Sequence, residues 1–319
     1  MVSLPIIDLS DIHSTKSQQR LADELVDIYS TLGFAILINH GISQDMIDSI
    51  FRSSKAFHQL PLHEKMELHQ PHSACGYIPI NTYALKKTGT NDSTSTSNKN
   101  ASLGIGTEID CEHDHLAGLT VRRNQWPASL PHMRNTIMAA IESLSHLTQQ
   151  LLCSFAQGLK LPSDTFLPWL QPQPIYNLRL LHYPSDHQRD CSNTFGIAPH
   201  SDYGLITLVA QEKVSGLQVR TPCGTDWIDV EPIPGSLVLN TADSLTRLTN
   251  GRLLSTPHRV INSTQEERYS AAFFLSPALD VPLKPLEKLC QHEPAAFDEI
   301  TYRQYIQQIL KNNYGRDSE

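Results

Sequence analysis

Pro199-His200-Ser201-Asp202-Tyr203-Gly204 runs directly into Leu205-Ile206-Thr207-Leu208-Val209-Ala210. The second half is apolar and rich in β-branched residues, the composition of a strand. Side chains alternate along a strand, so His200 and Asp202 are expected on one side and Ser201 on the other. One imidazole and one carboxylate cannot hold a catalytic metal alone. A second histidine, His258, opens another apolar stretch in Ser255-Thr256-Pro257-His258-Arg259-Val260. Two histidines and one carboxylate on one face, with the remaining coordination positions open, form the facial triad of non-haem Fe(II) sites. Taken alone the pattern is weak: His-x-Asp recurs by chance, and a strand histidine is more often structural. Its surroundings decide.

Arg268-Tyr269-Ser270 opens a further apolar run, Ala271-Ala272-Phe273-Phe274-Leu275. Alternation puts Arg268 and Ser270 on one face. A guanidinium fork with a neighbouring hydroxyl receives a carboxylate bidentately, and its charge does not titrate. The competing interpretation is a surface ion pair between Arg268 and Glu266 or Glu267. A metal triad beside a fixed carboxylate clamp suggests iron with a keto-acid cosubstrate.

The set His200-x-Asp202, His258 and Arg268-x-Ser270 resembles the Fe(II)- and 2-oxoglutarate-dependent dioxygenases of the isopenicillin N synthase-like family. The likeness extends over nearly the whole chain. It takes in Leu4-Pro5-Ile6-Ile7-Asp8-Leu9-Ser10, Gly33-Phe34 with Asn39-His40-Gly41-Ile42, Gly76-Tyr77-x-Pro79, Trp126-Pro127 and Leu178-Arg179-Leu180-Leu181-His182-Tyr183-Pro184. The last run resembles the sub-branch that includes thymine dioxygenase. The resemblance implies Fe(II) on His200, Asp202 and His258, 2-oxoglutarate as cosubstrate, O2, and ascorbate as a candidate reductant. It also implies that Arg268 and Ser270 take the distal carboxylate of 2-oxoglutarate and that Tyr183 bonds the cosubstrate near the metal. Many relatives carry Asn where this chain has Leu181, so one hydrogen bond to the cosubstrate is expected to be missing here.

Composition narrows the class further. The chain has 319 residues, 39% of them hydrophobic, and a formal net charge of -8. No window approaches a membrane span, and the start lacks a basic segment followed by an apolar run. No dense Lys/Arg stripe suggests nucleic acid as a partner. The six cysteines (Cys75, Cys111, Cys153, Cys191, Cys223, Cys290) are scattered without a CxxC, which favours reduced thiols over a disulfide framework. These features point to a cytoplasmic protein, and the resemblance implies a small-molecule substrate. They carry no signal for oligomeric state.

Periodicity predicts a short strand at residues 6–9, helices over 18–32 and 44–59, and a strand at 34–39. The longest periodic segment, residues 131–159, reads as a helix packed along a sheet. Short strands with turn signals follow to about Pro277, and a helix over 297–312 ends the chain. The whole is expected to be mainly β with flanking helices: a double-stranded β-helix of jelly-roll or cupin-like form, with a long supporting helix. Residues 1–125 form its helix-and-strand N-terminal part and 126–319 the barrel, as one integrated unit. Between Cys75 and Ala117 the pattern dissolves, and 86–117 is expected to be a mobile loop that helps cover the site. Within it, residues 111–115 (Cys-Glu-His-Asp-His) read as a solvated loop, because adjacent residues cannot all face one ion.

Arg179, Leu181 and Tyr183 alternate onto one strand face. Arg179 is expected either to contact a polar or anionic substrate group or to pair with a strand neighbour. Phe274, in register with Arg268 and Ser270, lines the pocket or simply packs the barrel. Tyr77 is a lid candidate, and Asp243 reads as a turn residue. Two other classes stay open: an oxidase of the same fold that uses no 2-oxoglutarate, and a non-catalytic binding protein that keeps the barrel.

Overall fold

The computed structural model describes residues 3–12, 17–70, 75–82, 98–108, 115–116, 119–120, 123–185, 195–263 and 265–314. In chain order the elements are β1 (Ile6–Asp8), α1 (Gln18–Tyr29), β2 (Phe34–Ile38), α2 (Gln44–His58), α3 (Leu62–Glu67), β3 (Gly76–Ile78) and β4 (Ala101–Gly106). The short pair β5 (His115–Leu116) and β6 (Leu119–Thr120) precedes α4 (Met133–Gly158). Then come β7 (Ile175–Tyr183), β8 (Ile197–His200), β9 (Ile206–Gln211), β10 (Leu217–Arg220), β11 (Trp227–Asp229) and β12 (Leu237–Thr241). The chain closes with α5 (Asp243–Leu248), β13 (His258–Val260), β14 (Arg268–Ser276) and α6 (Tyr302–Tyr314).

Eight strands make one sheet in the order β1-β2-β12-β9-β14-β7-β4-β3, and four make a second in the order β11-β10-β13-β8. Among the described residues only β1 and β2 pair in parallel; the other paired strands of both sheets run antiparallel.

Alternation along each strand separates two apolar layers. On β14, Tyr269, Ala271, Phe273 and Leu275 join the layer that packs against α1, α2 and α4. Ala272 instead joins a second cluster with Phe34, Ile36, Leu181, Tyr183 and Val238 of the large sheet and Leu217, Val219 and Val260 of the small one. That cluster fills the space between the sheets, so the fold is a double-stranded β-helix with helices outside it. The N-cap of α2 follows its sequence: the Ser43 hydroxyl accepts the Met46 amide at 3.2 Å, and Ile47, Ile50, Phe51 and Phe57 form its buried stripe. α4 buries a longer stripe of the same kind, including Ile137, Leu144, Leu151 and Phe155.

Outside the metal-ligand segment and α5, where Asp243 begins a helix and not a turn, the structure departs from the sequence-based expectation in three places. Residues 101–106 are a strand, not part of a loop: β4 is buried along its whole length and pairs with β7 on one side and β3 on the other. Its Ala-Ser-Leu-Gly-Ile-Gly sequence has little intrinsic strand preference, so pairing on both edges imposes the conformation. The rest of the expected loop, apart from residues 98–100, 107–108 and the short β5/β6 pair, lies outside the described residues, as do residues 111–114 of the Cys-Glu-His-Asp-His motif. The last helix starts at Tyr302, because residues 295–301 run as an extended segment and turns.

Tyr77 is the third departure. It is 4% exposed and belongs to the layer under the helices. Its ring meets Phe57 edge-on at 5.8 Å and lies under the Lys65 ammonium at 5.8 Å. Tyr77 is a core residue of the outer layer and not a lid.

Candidate active site

His200 is the last residue of β8 and His258 the first of β13, and these two positions are directly paired across the small sheet. Asp202 is not on a strand. It sits in the segment that crosses from β8 to β9 of the other sheet, so its position beside His200 comes from that crossing, not from alternation along one strand. The ligand atoms of His200, Asp202 and His258 all lie within 4.8 Å of one another. The Nε2 atoms of both histidines stand 3.7 Å from Asp202 Oδ1.

The protein fixes which atoms face inward. His200 Nδ1 lies 2.9 Å from the Ala198 carbonyl and His258 Nδ1 3.2 Å from the Thr256 carbonyl. A carbonyl can only accept, so each Nδ1 carries the proton and each Nε2 keeps its lone pair for a metal. Asp202 Oδ2 accepts from the Thr207 hydroxyl at 2.6 Å and from Asn240 Nδ2 at 2.8 Å, which leaves Oδ1 for coordination. Burial, with the charge of His258 next, pushes the His200 pKa down to about 4, so its imidazole is neutral near pH 7. Burial alone raises the Asp202 pKa, but His258, His200 and the two hydrogen bonds outweigh it and hold the carboxyl below its ordinary value. Two imidazoles and one carboxylate are the donor set of an Fe(II) site with open positions.

Thr256 holds its place through a close approach. Its hydroxyl donates to the Leu32 carbonyl at 2.6 Å. Gly33, at φ +74°, lies so near that a Cβ there would stand 2.5 Å from the Leu254 carbonyl oxygen and 2.7 Å from Thr256 Oγ1. A side chain at position 33 would push the His258 segment away.

Arg268 lies on the inner face of β14, as alternation predicts, and is 1% exposed. Its Nη2 donates to Gln211 Oε1 at 2.9 Å, its Nη1 reaches Ser270 Oγ at 3.4 Å, and its guanidinium lies 4.7 Å above the Tyr183 ring. Ser270 Oγ in turn donates to the Tyr183 hydroxyl at 3.5 Å. Arg268 Nε is buried without a hydrogen-bond partner, and among the described residues no carboxylate pairs with this cation. The ion-pair alternative fails: Glu266 pairs with Lys213 at 3.4 Å, and Glu267 accepts from Tyr269 at 3.0 Å on the other face of the strand. A buried guanidinium with an orphaned N–H and no acid fits the carboxylate of an absent cosubstrate.

Arg179 also faces the interior, with its Nη2 donating to Ser102 Oγ at 3.1 Å, and its charge reaches His200 closely enough to depress that histidine further. The strand-neighbour alternative is thus met in part, by a hydroxyl on β4. Phe274 is half-buried, packs against the inner cluster and stands opposite Thr207 in the β14–β9 register. Leu181 fills the inner position between Arg179 and Tyr183 and is buried, and its aliphatic side chain offers no hydrogen bond. Asp243 is the first residue of α5, half-buried behind Ser201 and outside the triad. Sequence reasoning missed Thr207, Asn240 and Gln211 as supporting residues. Each is a polar residue at an inward position of an otherwise apolar strand, which is the signal that was there to find.

Among the described residues no helix is long and apolar enough to cross a membrane.

The comparisons agree with this geometry. Residues 174–277 match the model of the 2OG-Fe(II) oxygenase superfamily, and residues 4–129 match that of the non-haem dioxygenase in morphine synthesis N-terminal region. The 2-oxoglutarate-Fe(II) type oxidoreductase hxnY of Emericella nidulans is 32% identical over 98% of this chain and 90% of its own length. The 1-aminocyclopropane-1-carboxylate oxidase of Dictyostelium mucoroides is 29% identical over 87% and 82%. Among solved structures, a full-length Neurospora crassa protein in complex with alpha-KG and thymine superposes with a TM-score of 0.84 at 26% identity, covering 98% of this chain and 97% of its own. With a His-Asp-His cluster, a buried arginine, and relatives matching along almost its entire length, the chain belongs to the 2OG-Fe(II) oxygenase superfamily.

Proposed function

We propose that His200, Asp202 and His258 hold Fe(II), that Arg268, Ser270 and Tyr183 bind 2-oxoglutarate, and that Arg179 and Phe274 contact the substrate. The observation that carries this is Arg268: a fully buried cation with an unpartnered N–H and no described acid, on the barrel interior with the triad. Fe(II) with 2-oxoglutarate and O2 supplies oxidative decarboxylation of the keto acid to succinate and CO2, together with the oxidant for the substrate. The protein's part is orientation and shielding. Arg268 and Ser270 fix one end of the keto acid. Thr207 and Asn240 keep Asp202 turned so that one oxygen faces the two imidazoles. The inner apolar cluster excludes water. Whether the outcome is hydroxylation, desaturation or rearrangement is decided by where the substrate's C–H bonds lie.

The substrate class we favour is a compact polar heterocycle or a secondary-metabolite intermediate. The inward charge of Arg179 supports this, as does the likeness to a structure holding thymine. The N-terminal strands β1–β4 are part of the same sheet as β14, which supports treating 1–125 and 126–319 as one unit. A cytoplasmic location belongs to the same reading, and the free thiols of Cys75, Cys153, Cys223 and Cys290 support it.

Succinate formation with a panel of small polar heterocycles tests the reaction. Substrate oxidation without succinate would favour the oxidase class, a reading that the 1-aminocyclopropane-1-carboxylate oxidase relative keeps in play. Arg179→Ala is expected to raise substrate KM about tenfold or more, the worth of a hydrogen bond to a charged group. Its substrate-free consumption of 2-oxoglutarate should persist, and equal loss of both activities would remove Arg179 from the substrate role. Asn240→Ala leaves Asp202 Oδ2 with Thr207 alone and is expected to weaken Fe(II) binding by about ten- to a hundredfold in an anaerobic titration.

A further inference from the structure

The segment that follows His200, residues 201–205, crosses from β8 to β9. It is held from behind by α5. The Asp243 amide donates to the Asp202 carbonyl at 2.9 Å, the Ser244 amide to the Gly204 carbonyl at 3.0 Å and the Ala242 amide to the Leu205 carbonyl at 3.0 Å. The Ser244 hydroxyl donates to the Tyr203 carbonyl at 2.6 Å. The first amides of a helix lack intrahelical acceptors, and here the metal-bearing segment supplies them.

The Asp243 side chain adds a second tie. Its Oδ2 accepts from Ser201 Oγ at 3.3 Å and from the Tyr305 hydroxyl at 2.7 Å. Ser201 lies between His200 and Asp202, whereas Tyr305 belongs to α6, near the end of the described chain. A short hydroxyl–carboxylate bond largely out of water is charge-assisted and among the stronger hydrogen bonds. Arg247 of α5 reinforces the docking: its guanidinium lies 5.7 Å from the Tyr305 ring and 5.1 Å from that of Phe297, and its Nη2 donates to the Asp298 carbonyl at 2.6 Å.

We infer that Tyr305 is a positioning residue of the metal centre: through the Asp243 carboxylate, the C-terminal helix braces the Ser201–Asp202 corner in the geometry that binds metal. The inference rests on the proposed metal role of His200, Asp202 and His258. It makes the C-terminal helix part of the machinery and not a lid or a packing element alone. Tyr302, one turn earlier on the same helix, offers the control. Its hydroxyl donates to Ser276 Oγ at 2.9 Å and makes no bond to Asp243.

The test uses the full chain, stripped of metal and titrated with Co(II), whose visible ligand-field bands report the site without O2 chemistry. Tyr305→Phe removes only the hydroxyl and is expected to weaken Co(II) binding by roughly tenfold, at the lower end of what outer partners of a metal ligand are worth. Tyr302→Phe should bind Co(II) as the unaltered protein does, even where its Tm falls by a similar amount. Ser201→Ala should weaken binding as well, and the double variant with Tyr305→Phe should be little weaker than the weaker single one, because both act through one carboxylate. Unchanged affinity in Tyr305→Phe, or equal losses in Tyr302→Phe and Tyr305→Phe, overturns the inference while leaving the metal site standing. If the unaltered chain shows no Co(II) bands that His200→Ala removes, the metal site and the inference fall together.

Discussion

Arg268→Leu is expected to weaken 2-oxoglutarate binding by roughly thirtyfold to several thousandfold. That range corresponds to the ~2–5 kcal/mol lost when one partner of a buried, hydrogen-bonded charge pair is removed. The effect should be large because Arg268 is 1% exposed and, among the described residues, has Gln211 and Ser270 as its polar side-chain partners at hydrogen-bond distance besides its contact with Tyr183. The dianionic cosubstrate would supply the missing anion. Arg268→Lys should fall between the two proteins, since an ammonium keeps the charge and loses the fork. The same residue makes an unusual stability prediction. Without 2-oxoglutarate, a buried cation lacking an acid is a burden on the fold, so Arg268→Leu should melt at the same or a higher temperature than the unaltered protein. With 2-oxoglutarate and metal present, the order should reverse, because the ligand stabilises only the protein that binds it. Calorimetry with and without cosubstrate reads both halves. Equal ligand-induced shifts in the two proteins would remove Arg268 from the cosubstrate role.

Asp202→Ala is expected to abolish tight metal binding and all turnover. The two imidazoles that remain carry no negative charge, so the triad loses its only anionic donor. The unaltered protein should gain about 2.7 kcal/mol from metal at one hundred times Kd, seen as a rise in Tm. The variant should gain nothing. Its metal-free stability is harder hit than that of Arg268→Leu, because Thr207 and Asn240 Nδ2 lose a common acceptor inside the barrel. A Tm rise with Fe(II) or Mn(II) that survived Asp202→Ala would place the metal elsewhere.

Much of this site was legible because its residues sit where period-two alternation is strict. Arg268, Ser270 and Phe274 on β14, and Arg179 and Tyr183 on β7, all face the interior as alternation required. His258 opens its strand as expected. The triad itself was found for a reason that is only partly right: His200 ends β8, but Asp202 lies on the crossing segment, and spacing of two was satisfied without a continuous strand. Tyr77 shows how little a motif says about direction. On a three-residue strand a shift of one position exchanges core and pocket faces, and Tyr77 falls on the core face, paired with Leu103. β4 was hidden for a compositional reason, since Ser102, Gly104 and Gly106 carry no apolar signal at alternate positions. Two partners come from strands far away in sequence: Asn240 is 38 residues from Asp202 and Gln211 is 57 from Arg268. Only the sheet order, which brings β12 and β9 beside one another and β14 beside β9, places Asn240 and Gln211 at the site.

The proposed site binds Fe(II) and 2-oxoglutarate together in one pocket. The most direct test is anaerobic addition of Fe(II) and then 2-oxoglutarate to the metal-free protein, followed through the weak visible charge-transfer band of a keto acid chelated to iron. The expected band appears only when both are present, is lost in His200→Ala and needs far more 2-oxoglutarate in Arg268→Leu. Stoichiometric iron binding with no band at saturating 2-oxoglutarate would contradict it.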